Sequence, residues 1–179
     1  MKAQNEITFE IVSGDSISAS YSQEIVNLCS AAYEEDFRPY LALLLNPVHL
    51  LARRSNILVS HAAWVTRWLQ VNEDKVLRTA YVEAVATAPE YQRKGFASAV
   101  MRRLVTCIDE FDIGALSPSD ADFYERLGWE MWRGQLAIRT EQGLVPTPEE
   151  EVMIYRLRRT PELDLNNLQT VEWRQGEVW

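Results

Sequence analysis

Residues 81–105 read YVEAVATAPEYQRKGFASAVMRRLV, and the change of rhythm inside them decides the fold. The stretch up to Thr87 is rich in branched and aromatic side chains and reads as the end of a strand. After Pro89 the period changes. Phe96, Val100, Leu104, Ile108 and Phe111, supported by Met101 and Val105, fall at helical spacing and make a broad apolar face on one long helix. Between strand and helix stands QRKGFA, residues 92–97. A tight loop that leads into a helix offers an anion unpaired backbone N–H groups and the positive end of the helix dipole, and Gly95 permits close backbone approach. Arg93 and Lys94 add charge. The same six residues also fit an ordinary strand-to-helix turn with solvated basic side chains.

Outward from this stretch, ITFEIVS (7–13) alternates apolar and polar residues and reads as a first strand. In SQEIVNLCSAAY, Ile25, Leu28, Cys29 and Ala32 stand at helical spacing, with Ser22 as the expected N-cap. DFRPYLALLL gives a short second helix that must stop at Asn46-Pro47, because the residue before proline is pushed out of the α region. HLLARR, ILVSHAAWVTRWLQV and VLRTAYVEAVAT follow as an antiparallel meander, with SN and NEDK as its turns. Beyond the long helix, DIGAL is a short buried strand and SDADFYERLG a short helix with Gly128 at its C-cap; WEMWRGQLAI and EEVMIYRLR form the last hairpin. The order predicts one α/β (α+β) domain over residues 1–179, a mixed, mostly antiparallel sheet flanked by helices.

A chain of 179 residues with 47% hydrophobic side chains can bury a real core. Its net charge of −8, from 26 acids against 18 bases, argues against a nucleic-acid partner and leaves a cationic one open. Acids cluster in YEEDF (33–37), in TPEEEV (147–152) and, as Glu172 and Glu177, in the closing stretch. They are solubilising surface charge, unless all three clusters converge on one cavity and make a polycation site. The first fifteen residues hold no continuous apolar core of a secretory signal, and the longest apolar stretch, YLALLLNPVHLLA, is broken by Asn46-Pro47 and too short to span a bilayer; a cytoplasmic protein without membrane contact is expected. Cys29, Cys107, His49 and His61 show no metal-ligand spacing, so no metal is expected and the histidines read as core or satisfied polar groups. Trp64, Trp68, Trp129 and Trp132 read as core or dimer contacts. VEWRQGEVW (171–179) places two tryptophans around Glu177: either the stretch docks as a hydrophobic patch, or the carboxylate at Trp179 joins a site.

The strand–QRKGFA–helix unit and its neighbours resemble the GNAT acetyltransferases. That resemblance implies acetyl-CoA as co-substrate, with coenzyme A against Val85, Ala86 and Thr87 on a strand splayed from its neighbour, and with the diphosphate on the backbone of Gln92, Arg93, Lys94, Gly95, Phe96 and Ala97. YVEAVAT, GALSPSDADFYERLGW, QLAIRTEQG, the triple acid at Glu149–Glu151 and EWRQGEVW look, in matching order, like the aminoglycoside 2'-N-acetyltransferases. The narrower resemblance implies transfer to the 2'-amine of a cationic aminoglycoside, antibiotic resistance, and a homodimer. In it Glu83 is the base that draws a proton from the ammonium through water, and the Val85 N–H is the oxyanion donor. Tyr124 reprotonates the sulfur, and Asp36, Glu83, Ala84, Ser117, Glu150, Glu177 and Trp179 take substrate-contact positions. Read as ordinary structure, Glu83 would pair with Arg78 or another base, and Tyr124 would pack beside Trp129. Relatives carry a further acid where Arg38-Pro39-Tyr40-Leu41 follow Phe37; they often have Asp at position 177, and some have Gly at position 84. Deoxystreptamine drugs and kasugamycin, which carries a carboxylate of its own, are both open as acceptors. A polyamine or peptide amine, or a non-catalytic acyl-CoA sensor, are the alternatives.

Overall fold

Ser18, not Ser22, caps the first helix. Its backbone is extended (φ −73°, ψ 154°) and its hydroxyl accepts from the Tyr21 N–H at 3.2 Å, so α1 spans Ala19–Tyr33. Ser22 lies within the helix, its own N–H bonded to the Ser18 carbonyl at 2.9 Å. The computed structural model describes residues 6–74 and 76–179. Lys75, the last residue of the expected NEDK turn, and the opening five residues of the signal-sequence reading therefore lie outside the described residues.

The other elements are β1 (Ile7–Ser13), α2 (Arg38–Leu43), β2 (Val48–Arg54), β3 (Ile57–Val71), β4 (Val76–Thr87), α3 (Phe96–Cys107), β5 (Ile113–Leu116), α4 (Ala121–Glu125), β6 (Glu130–Met131), β7 (Leu136–Thr140), β8 (Gly143–Pro146), β9 (Met153–Arg156) and β10 (Gln169–Glu172). They form a mixed, mostly antiparallel sheet in which β4–β5 and β7–β10 are parallel pairs. The chain forms two compact units: the part up to Val65 with Val82–Leu104, and Thr66–Tyr81 with Val105–Trp179.

In the first unit β1 pairs with β2 and β2 with β3, both antiparallel. Ser55 and Asn56 close the β2–β3 hairpin with φ of 48° and 68°, as a two-residue turn matched to strand twist requires. The core packs Ile25, Leu28 and Cys29 of α1 and Phe37 against Leu51, Ala84, Ala86 and Ala88. The small residues on β4 let α1 approach that strand.

In the second unit the strand order is β6-β9-β5-β4-β3-β10-β7-β8. The expected last hairpin is divided. Glu130–Met131 does pair with β9, but Leu136–Thr140 pairs with β8 on one side and, in parallel, with β10 on the other. Trp132 and Gly134 cause the division. The Trp132 indole donates to the Asn167 carbonyl at 2.9 Å, and a Cβ at Gly134 would sit 1.8 Å from that same oxygen, so the chain turns there against residues 165–167. The helix expected to reach Phe111 ends at Cys107; Ile108 and Phe111 stay buried in a turn closed by the Phe111 N–H on the Ile108 carbonyl at 3.0 Å. Arg126 holds the C-cap of α4, with Gly128 turning the chain just beyond at φ 91°. Trp64, Trp129 and Trp132 are buried, whereas Trp68 is 47% exposed. No helix among the described residues is long and apolar enough to cross a membrane.

Candidate active site

Three consecutive residues of β4, in the first unit, carry the local geometry. Ala84 has φ 51°, a left-handed conformation that an alanine adopts only when its surroundings hold it there. On one side of it Glu83 is buried, 5% exposed, and accepts a short hydrogen bond from the Tyr40 hydroxyl. On the other side the Val85 carbonyl accepts from the Tyr33 hydroxyl at 2.8 Å. Tyr33 and Tyr40 belong to an aromatic ladder with Phe37, its ring centroids 4.4 and 4.7 Å apart. Neither tyrosine was singled out for this role from the sequence. Their signal was the spacing of 33, 37 and 40, which stacks side chains on one face even though a left-handed Glu34 (φ 59°) interrupts the helix between them. Further along β4 the Ala86 carbonyl accepts from Ser60 Oγ at 3.0 Å, and the Thr87 carbonyl from Gln92 Nε2 at 3.2 Å.

The loop expected to hold an anion follows directly. Arg93 and Gly95 both have positive φ, 58° and 84°, and α3 starts at Phe96. A Cβ on Gly95 would meet nothing within 4 Å, so the glycine serves the positive φ of the turn and the space beside it is open. Lys94 Nζ donates to the Glu90 carbonyl at 2.7 Å and lies 5.6 Å from the Tyr91 ring centroid, while Arg93 is exposed. Backbone donors at a helix start, open space and two cations suit a diphosphate.

Asp36, in the same unit, is not an unpaired acid. Arg38 donates to both its oxygens, at 2.8 and 2.7 Å, and these bonds hold the carboxyl down at about 2. The pair is exposed.

In the second unit, Asp120 caps α4 through the Phe123 N–H at 3.1 Å and thereby sets Tyr124. The Tyr124 ring is buried, edge-on to Trp129 at 6.2 Å. Burial pushes its hydroxyl up to about 12, helped by the Asp120 charge and opposed by a hydrogen bond with Ser119. Ser117 is exposed just past β5. Trp179 is buried and its indole donates to Thr147 Oγ1 at 2.8 Å; the Thr147 carbonyl accepts from the Glu150 N–H at 3.2 Å. Thr147 thus bonds the Trp179 indole through its side chain and the Glu150 backbone through its carbonyl. Glu177 is exposed, its carbonyl accepting from Arg174 Nε. The neighbouring Glu172, counted above with the surface acids, is structural: its carboxylate receives Arg67 Nε at 2.8 Å and the Trp68 N–H at 3.1 Å. Arg67, 3% exposed, also donates to the Glu172 and Val178 carbonyls, both at 2.8 Å. Arg78 stacks over Phe111 at 4.2 Å.

His49 and His61 are buried and bonded to each other, Nδ1 to Nε2 at 2.9 Å. Burial raises the Cys29 thiol to about 12, which removes it as a nucleophile at neutral pH. Among the described residues, no group of three or more His, Cys, Asp or Glu could hold a metal ion.

The family model described as an acetyltransferase (GNAT) domain matches residues 15–132. The aminoglycoside 2'-N-acetyltransferase of Mycolicibacterium fortuitum is 34% identical over 142 residues, which cover 75% of this chain and 72% of the relative. Among solved structures, the Escherichia coli GNAT family N-acetyltransferase YhbS, crystallised with CoA, superimposes with a TM-score of 0.64 at 16% identity, covering 95% of this chain and 92% of that one. Eis1 of Mycobacterium abscessus gives a TM-score of 0.59 at 21% identity over 73% of this chain; this chain covers 33% of Eis1.

Proposed function

The chain belongs to the GNAT acetyltransferases, and from that premise we propose that it transfers the acetyl group of acetyl-CoA directly to the 2'-amine of an aminoglycoside, so conferring resistance. Ala84 carries the assignment. Its left-handed backbone sets an acid, Glu83, and a backbone donor, Val85, on consecutive sides of one bend, directly upstream of a loop suited to a diphosphate. The substrate class rests on the Mycolicibacterium fortuitum relative.

Acetyl-CoA supplies an electrophilic thioester carbonyl and a thiolate leaving group, its diphosphate held by the backbone of Gln92–Ala97. Glu83 takes one proton of the acceptor's ammonium through water and passes it to solvent, so the amine can attack, and the second proton that the nitrogen sheds on becoming an amide leaves by the same water. Val85 N–H donates to the oxygen on which negative charge develops. Tyr124 gives its proton to the departing sulfur and recovers it from solvent; with its hydroxyl at about 12 it is fully protonated at neutral pH. Cys29, protonated and buried, offers no acetyl acceptor, and direct transfer in a ternary complex is the route proposed. Ser117, Glu150, Glu177 and Trp179 bind the acceptor's amines and hydroxyls.

Initial rates with acetyl-CoA and a panel of kasugamycin, gentamicin, tobramycin, spermidine and a lysine peptide test this reading. Intersecting double-reciprocal plots and a preference for an aminoglycoside are expected. Parallel plots, or a preference for spermidine or the peptide, would replace it.

The Asp36–Arg38 pair favours an acceptor with fewer cationic groups, kasugamycin among them. Arg38→Ala releases an exposed carboxylate for a substrate ammonium. The expected result is a roughly two- to fivefold lower KM for gentamicin or tobramycin, the scale of one exposed ion pair, with the acetyl-CoA KM unchanged. An unaltered acceptor KM would take Asp36 out of the binding site.

A further inference from the structure

His61 is the middle of a hydrogen-bond chain whose direction is fixed by chemistry. Its Nδ1 lies 2.8 Å from the Ala84 carbonyl, which can only accept, so Nδ1 carries the proton. The ring is wholly buried, and that burial, with the His49 charge as a lesser cause, pushes it down to about 3; it is neutral in any working buffer. A neutral imidazole with its proton on Nδ1 presents Nε2 as an acceptor. His49 Nδ1, 2.9 Å away, must therefore donate to it. Cys29 Sγ stands 3.8 Å from His61 Nδ1 and completes the buried surroundings. The chain runs from His49 through His61 to the oxygen of Ala84.

That oxygen shares a peptide group with the Val85 N–H. The peptide is planar and trans, no cis bond occurring among the described residues, so the two point in opposite directions and holding one aims the other. Ala84 at φ 51° would not keep this conformation unaided. Tyr33, on the Val85 carbonyl at 2.8 Å, restrains the following peptide in the same way. A hydrogen bond to an amide oxygen also polarises the amide and strengthens its N–H as a donor.

We infer that His61 is a positioning residue for the acetyl-transfer step: through the Ala84 carbonyl it aims and polarises the Val85 N–H toward the developing oxyanion. This rests on the oxyanion role proposed for Val85, and the test separates the two. In the CoA-free wild-type protein, long-range 1H–15N NMR should find the His61 Nδ1–H tautomer throughout pH 6–9; the Nε2–H tautomer would overturn the inference without any mutation. His61→Leu should shift the Val85 amide proton upfield and lower kcat about 10- to 100-fold, below the loss expected for removing an oxyanion donor outright, with both KM values little changed. His61→Asn, whose amide can replace the Nδ1 donor, should restore most of both. His49→Leu leaves the Ala84 bond in place and should give the same effects at smaller amplitude, so it decides the matter if His61→Leu does not fold. A folded His61→Leu or His49→Leu protein with the wild-type Val85 resonance, or with wild-type kcat despite a shifted resonance, sinks the proposal. If the wild-type protein acetylates no acceptor, the oxyanion reading fails, while the Val85 resonance still reports whether His61 holds the peptide.

Discussion

Tyr124→Phe should lower kcat by about 10²–10⁴-fold, the range a positioned general acid contributes, while leaving both KM values close to wild type. The phenylalanine keeps the ring edge-on to Trp129 and loses only the hydroxyl, so melting should change little. Burial holds the hydroxyl at about 12 in the folded chain, above the ordinary tyrosine value of about 10. Its folded value is raised, so the stability linked to it is complete below about pH 10 and is lost as pH rises through about 12. No alkaline fall in wild-type kcat should arise from Tyr124 up to about pH 10. Glu83→Gln should act at the other end of the profile, reducing turnover most at low pH, where the acceptor amine is most fully protonated and most needs a base. Near wild-type turnover of either variant from pH 6 to 10 would remove that residue from the mechanism.

Arg67→Met should cost about 3 kcal/mol of stability, the lower end of what breaking a buried pair costs, because Glu172 is 35% exposed and regains some hydration. For a chain of this size that is a fall in Tm of roughly 6–12 °C. The guanidinium satisfies the Glu172 carboxylate and the carbonyls of Glu172 and Val178, and it lies 5.6 Å from the Tyr81 ring centroid, so methionine replaces its volume and none of its donors. Arg67→Lys should fall between, since an ammonium cannot reproduce the planar fork. Amide exchange in Gln169–Glu172 should accelerate in Arg67→Met. An unchanged melting temperature would mean that the closing stretch is held by the burial of Trp179 alone.

The fold was legible wherever a local pattern coincided with a local cause. The 81–105 stretch and the Ser55-Asn56 turn are of this kind, whereas α2 stops at Leu43, with Leu44 already extended, short of the Asn46-Pro47 expected to end it. β10 was not, because QTVE has only four residues and is a strand by virtue of partners distant in sequence, Gln169 facing Val71 and Leu136. Within the site, the loop and Ala84's neighbours could be named from the resemblance, but the Tyr40 bond to Glu83 could not, since it joins residues 43 apart in sequence. The histidine pair was hidden by one residue of register. Counting back from the two-residue turn places His61 opposite Leu50 and so on the other face from His49. The irregularity between Ala52 and Arg53 moves His61 opposite Leu51, and the two rings then share a face as diagonal neighbours.

β10 also dictates an order of assembly. β3 is made early in synthesis, yet at Gln70 and Val71 it pairs with β10, close to a hundred residues downstream. Until Glu172 has left the ribosome that part of β3 is an open strand edge, and the Arg67 guanidinium lacks the acceptors that permit its burial. Closure over such a span is slow and exposes the unfinished sheet to pairing with other chains. Yield of soluble enzyme should therefore depend on translation rate and chaperone supply more than on the stability of the finished protein, and a clamp around Arg67 that forms last makes the second unit fold late and all at once.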